Sequence, residues 1–177
     1  MRRATLLAGG LFFLSAVIGP TAGAANPALQ DLDLGHADRA LQSLGAALAR
    51  NPSDAEAPNL RCRVFYEEAQ WDQAIPDCEA AVQLAPGDSN YHLWLGRAYG
   101  QKADHASLVF GYPLARKVRA EFEQAVQLDA HNAAALADLG EFDVVAPVVV
   151  GGGLAHADAI VQQLRSVNLS GALALEA

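Results

Sequence analysis

The chain has 177 residues, 52% of them hydrophobic and 7% aromatic, with 2 cysteines and with 20 acidic against 12 basic side chains for a formal net charge of -8. Such a length suits one domain. The apolar fraction excludes a disordered chain, the cysteines are too few for a disulfide-framework miniprotein, and the charge has the wrong sign for holding a nucleic-acid backbone.

Residues 1–25 differ from the rest. Arg2 and Arg3 precede an uncharged run, residues 4–18, and then the small-residue stretch Pro20-Thr21-Ala22-Gly23-Ala24-Ala25. A positive start, an apolar middle and Ala22-Gly23-Ala24 as a small-x-small cleavage site predict a secretory signal peptide. The competing reading is a retained membrane anchor, and Gly9, Gly10, Gly19 and Pro20 speak against it by breaking a run already short for a bilayer. With no cysteine before Cys62, a lipid-modified amino terminus is not expected. Cleavage removes two of the 12 basic residues and no acid. The acidic product suits cationic partners better than anionic membrane surfaces, so a membrane is not an expected partner. The expected location is a periplasm or the exterior of the cell.

Self-similarity along the chain decides the fold. Segments 40–52, 74–86 and 122–130 end alike, with Ala81-Val82-Gln83-Leu84 in the second and Ala125-Val126-Gln127-Leu128 in the third. Pro52 and Pro86, 34 residues apart, each stop a helix by lacking the donor that a further turn needs. Small and bulky residues alternate in a fixed order: Cys62, Phe65, Ala74 and Ala81 in one unit, then Leu95, Gly96, Tyr99, Phe122 and Ala125, then Leu136, Leu139, Gly140 and Ala157. Paired helices approach closely only where one presents Gly, Ala or Cys, and bulky residues fill the space beside those contacts.

On this period and these residues the chain resembles the tetratricopeptide repeat (TPR) family over nearly all of its length beyond residue 25. The resemblance implies an all-α solenoid of three to four helix-turn-helix repeats within 26–177, the repeats falling near 26–54, 55–88, 89–132 and 133–170. The first repeat is short, with its second helix over 37–50 and its first confined to 27–33. Pro58 falls in the first turn of a helix. Ala130 replaces a stop proline, Asp143 stands where an aromatic is expected, and beyond Leu164 the pattern weakens, with Ser170-Gly171 as the expected end of order.

The last two repeats carry insertions. Gly96 to Ala125 spans 29 positions against 19 for Cys62 to Ala81, which places about ten extra residues near 104–114, between the helices of the third repeat. A smaller insertion falls at 144–153. Equivalent turns of a solenoid line one edge, so the two should lie side by side. Both are apolar, with Leu108, Phe110 and Tyr112 in the first and Val148 in the second. The expected outcome is that they pack on each other and cap the stack; the competing one is a docking site for a partner or a lipid-like ligand. Gly151-Gly152-Gly153 lacks the Lys-Ser or Lys-Thr that a phosphate loop needs.

Cys62 and Cys78 lie on the two helices of one repeat, and the sequence leaves open whether they form a disulfide or fill small-residue slots as thiols. His36, His92, His105, His131 and His156 are scattered, with exposed or capping roles expected, and no metal or cofactor is expected. The adjacent acids Glu67 and Glu68 read as a solvated helix face. No catalytic constellation is evident, so an enzyme is not expected.

What the TPR resemblance implies about function is a concave groove lined by the first helix of each repeat. On this frame Asn59, Arg63 and Tyr66 of the second repeat, Asn90, Arg97 and Gln101 of the third, and Glu141 of the fourth face it. Arg63 and Arg97, one period apart, form a cationic stripe able to fork onto a carboxylate or, equally, to pair with groove acids such as Glu67 or Glu141. The expected role is a non-catalytic scaffold for a protein or peptide, with no nucleic acid. Two alternatives stand beside it: a ligand-handling accessory subunit of a transporter that depends on a periplasmic substrate-binding protein, its insertions roofing a pocket, and a scaffold that stacks on itself through an uncovered end near Leu164.

Overall fold

A computed structural model describes residues 27–168 and Leu175. The expected signal peptide and the expected boundary at Ser170-Gly171 lie outside the described residues. Within them the chain forms eight α-helices and no strand: α1 (Pro27–Asp33), α2 (Ala37–Arg50), α3 (Glu56–Glu67), α4 (Trp71–Leu84), α5 (Ser89–Asp104), α6 (Leu108–Leu128), α7 (Ala133–Val145) and α8 (Leu154–Val167), with a 3-10 turn at Val148–Val150.

Local chemistry sets these bounds. Asp88 caps α5 by accepting from the backbone N–H groups of Asn90 and Tyr91, and Asn132 caps α7 by accepting from that of Ala135. Pro52 and Pro86 follow the ends of α2 and α4. At the end of α6, where a proline is missing, the Asp129 carboxylate accepts the backbone N–H of His131 and turns the chain instead.

Each helix packs on the next in sequence, and α1, α3, α5 and α7 also touch in succession, whereas α2, α4, α6 and α8 do not touch one another. The first helices of the repeats therefore form a tight inner layer and the second helices a splayed outer one, which curves the stack and makes the inner face concave. The alternating residues of the sequence form the core: Cys62, Ala74, Ala81, Leu95, Tyr99, Phe122, Ala125, Leu136, Leu139 and Ala157 are all buried. At Gly96 a Cβ would stand 2.6 Å from Phe122 Cδ1, so only glycine lets α5 and α6 approach this closely.

Several expectations need correction. The extra residues of the third repeat are not a loop. They lengthen α5 to 16 residues and α6 to 21, and Leu108, Val109 and Phe110 form the opening turn of α6. Nor do the apolar insertions bury one another. Leu108 is 74% exposed, Phe110 70% and Val148 81%, and of the large apolar side chains in the two insertions only Val150 is buried. Leu164, expected at an uncovered end, is buried beneath Leu136 and Val161, with Leu175 packed on the same cluster and against Gly140. His92, expected in an exposed or capping role, is buried between α5 and α6, with Nδ1 2.7 Å from Glu121 Oε2 and Nε2 3.1 Å from the Pro86 carbonyl oxygen. Asp143, in the place of an aromatic, is 1% exposed because Arg119 on the lengthened α6 reaches it at 2.9 Å.

Candidate functional site

The concave face is organised around Trp94, which sits three residues before Arg97 on α5 and so shares its face. The guanidinium carbons of Arg63 and Arg97 each lie 4.8 Å from the Trp94 ring centroid. Tyr66, one turn after Arg63 on α3, meets the same ring edge-on, with centroids 5.6 Å apart. Two cations and two aromatic rings from neighbouring repeats thus form one cluster, each cation attracted by the ring face.

The two arginines differ in their partners. Arg97 is neutralised by Asp138 of α7, with Nε 2.6 Å from Oδ2 and Nη2 3.3 Å from Oδ1. That acid is neither Glu67 nor Glu141, the partners considered from the sequence. Arg63 has no ion pair among the described residues. Burial lowers its pKa from the ordinary arginine value, the charges of Asp33 and Glu67 oppose that, and Arg97 adds a smaller push downward. Among the described residues its Nε has no hydrogen-bond partner, and neither does Nδ2 of Asn59, one turn earlier on α3. Asn59 itself is 5% exposed, so it lies beneath the groove rather than on its surface. Burial also raises the Tyr66 pKa, with Arg97 and a hydrogen bond to Gln101 opposing.

Other residues expected in the groove lie farther off. Asn90 is at the start of α5, where its side-chain oxygen accepts from Asn132 Nδ2 at 3.3 Å. Tyr66, Arg97, Gln101 and Glu141 line a cleft of about 650 Å³ that runs from the Trp94 cluster toward α6. Leu108 and Tyr112 line the same cleft; Phe110 and Val148 do not. Cys62 and Cys78 are joined in a disulfide between α3 and α4, their Cα atoms 5.3 Å apart. Beside it Arg61 forks onto the buried Asp77, with Nε 2.6 Å from Oδ2. Among the described residues no group of three or more His, Cys, Asp or Glu side chains could hold a metal, and no helix is long and apolar enough to cross a membrane.

Sequence reasoning missed Trp94 and Asp138. A signal for both existed: each lies three residues before a position assigned to the groove, Arg97 and Glu141, and therefore on the same helical face.

No protein-family model matches the sequence. No curated protein matches it either. Solved structures do resemble it. TTC0263, a thermophilic TPR protein of Thermus thermophilus, superposes with a TM-score of 0.69 at 20% identity, over 84% of each chain. MamA of Desulfovibrio magneticus RS-1 gives 0.64 at 22% identity, over 81% of this chain and 72% of that one. The second TPR domain of human RPAP3, solved in complex with an HSP70 peptide, gives 0.56 at 18% identity, over 66% of this chain and 88% of that one. Helix pairing, the curved inner layer and these superpositions agree: the chain is an all-α solenoid with the tetratricopeptide-repeat fold.

Proposed function

We propose that the protein is a non-catalytic interaction module that acts in a periplasm or outside the cell and holds a segment of a partner protein in its concave groove, against Trp94. The observation that carries this reading is Arg63, a half-buried cation on the Trp94 ring that, among the described residues, has no acid of its own and has an unpaired Nε one turn from the unpaired Nδ2 of Asn59. A buried donor left unpaired costs about 1–3 kcal/mol, and an acceptor brought by a ligand recovers that cost. A peptide carboxylate or backbone carbonyl is such an acceptor, and a guanidinium fork suits a carboxylate best. The likeness in fold to a domain solved with a peptide supports the reading by analogy alone. Two features support export: the composition of residues 1–25 and the Cys62–Cys78 disulfide, a bond at home in oxidising compartments.

The test is selection of random peptides with free carboxyl termini on the full-length protein, followed by titration of the selected peptides against Arg63→Ala and Trp94→Ala. Affinity at least tenfold weaker in both variants is expected. Unchanged affinity would place recognition elsewhere.

A further inference from the structure

The lengthened third repeat reshapes the concave side next to the Trp94 cluster. The ends of α5 and α6, facing α7 and the Val148–Val150 turn, enclose the cleft of about 650 Å³. Its walls are apolar, with Phe122, Phe142, Val118 and Val150 from the core and Leu108 and Tyr112 nearer the mouth. Gly100 and Gly111, which also line it, carry no side chain to fill it. Leu108 and Val145 of the lining are 74% and 72% exposed, and Val109, Phe110 and Val148, next in sequence to lining residues, are 70% to 81% exposed. Large apolar side chains exposed together at the mouth of a cleft mark a contact with another molecule.

Charge selects the partner. Asp104, Asp138 and Glu141 line the cleft against one cation, Arg97, which Asp138 already neutralises. Asp104 and Glu141 have no ion-pair partner among the described residues. The cations nearby are turned to other groups: Lys102 to Asp72, Lys117 to the Tyr99 ring, Arg116 to the Val149 carbonyl, and Arg119 to Asp143 and Glu123.

We propose that this cleft, which shares Tyr66 and Arg97 with the Trp94 cluster but is lined by neither Arg63 nor Trp94, is a second docking site, and that its occupant is a protein segment in which bulky apolar side chains are flanked by lysine or arginine. The apolar side chains enter the cleft, and the flanking cations meet Asp104 and Glu141. An acid-flanked segment is rejected by the same two carboxylates, so charge sets the specificity while apolar burial supplies the affinity.

The site is tested by fluorescence anisotropy of the full-length protein with three labelled peptides: Lys-Arg-Leu-Phe-Leu-Lys-Arg, Glu-Asp-Leu-Phe-Leu-Glu-Asp and Lys-Arg-Ser-Gly-Ser-Lys-Arg. The first should bind at least tenfold more tightly than the other two. Asp104→Lys/Glu141→Lys, at two exposed positions, should reverse the preference between the first two, and Ala115→Trp, which fills the cleft, should abolish binding. Arg63→Ala should leave it unchanged, whatever the groove itself binds. Equal binding of all three peptides, an unaltered preference after charge reversal, or loss of binding in Arg63→Ala would each overturn the proposal.

Discussion

Arg63 and Arg97, one repeat apart, hold their guanidinium carbons at the same distance, 4.8 Å, from the centre of the Trp94 ring. Among the described residues, only Arg97 of the two has an acid to pair with. The repeat sets the two cations in register, and the difference between them leaves one neutralised and the other with unmet hydrogen-bonding capacity on the concave face.

The Cys62–Cys78 bond ties α3 to α4 across a sequence separation of 16 residues. Closing a loop of that length in the unfolded chain stabilises the fold by about 3 kcal/mol. Cys62→Ser/Cys78→Ser should therefore lower the urea midpoint, and reductant should destabilise the unmodified protein similarly.

Asp143 is fully enclosed and Arg119 is its cation. Asp143→Ala leaves that arginine with Glu123 alone and should cost about 3 kcal/mol in urea unfolding. Glu123 is far more exposed, so Glu123→Gln should cost at most about 0.5 kcal/mol.

At high pH the buried phenols report on the core. Burial, followed by the hydrogen bond that its hydroxyl donates to Glu79, holds the Tyr99 pKa well above the ordinary tyrosine value; burial raises Tyr66 and Tyr91 as well. A raised pKa means that the folded state keeps a proton that the unfolded state releases. The associated stability is complete below about pH 10 and is lost as the pH climbs from there toward the folded-state value. Urea midpoints should fall above that pH, and Tyr99→Phe should flatten the fall without removing it.

Ala69, between α3 and α4, has a φ of 55°, where a side chain is unfavourable. Ala69→Gly should stabilise the protein by roughly 1 kcal/mol, read as a higher melting temperature.

The helices and the core were legible because one packing solution is used repeatedly: Cys62, Gly96 and Gly140 are small for the same reason at successive positions, and periodicity exposes that. The insertion was legible as a length and illegible as a shape. Gly111 and Pro113 read as loop residues, yet α6 runs through both, because Pro113 lies near an exposed helix start where water can serve the carbonyl it leaves unpaired. Pairings that cross repeats, such as Arg97 with Asp138 and Arg119 with Asp143, depend on side-chain direction and on the extra helical turns. No spacing rule of the regular repeat anticipates them.

Trp94 is one of only 2 tryptophans, and Trp71 is the other. The most direct test of the groove is therefore a titration of Trp71→Phe protein with a selected peptide, as free acid and as amide, following Trp94 emission. A saturable change in emission is predicted, with the free acid binding more tightly and with Arg63→Ala weakening it at least tenfold. A peptide that binds without altering Trp94 emission, and equally well to Arg63→Ala, would contradict the assignment of the concave face as the recognition surface.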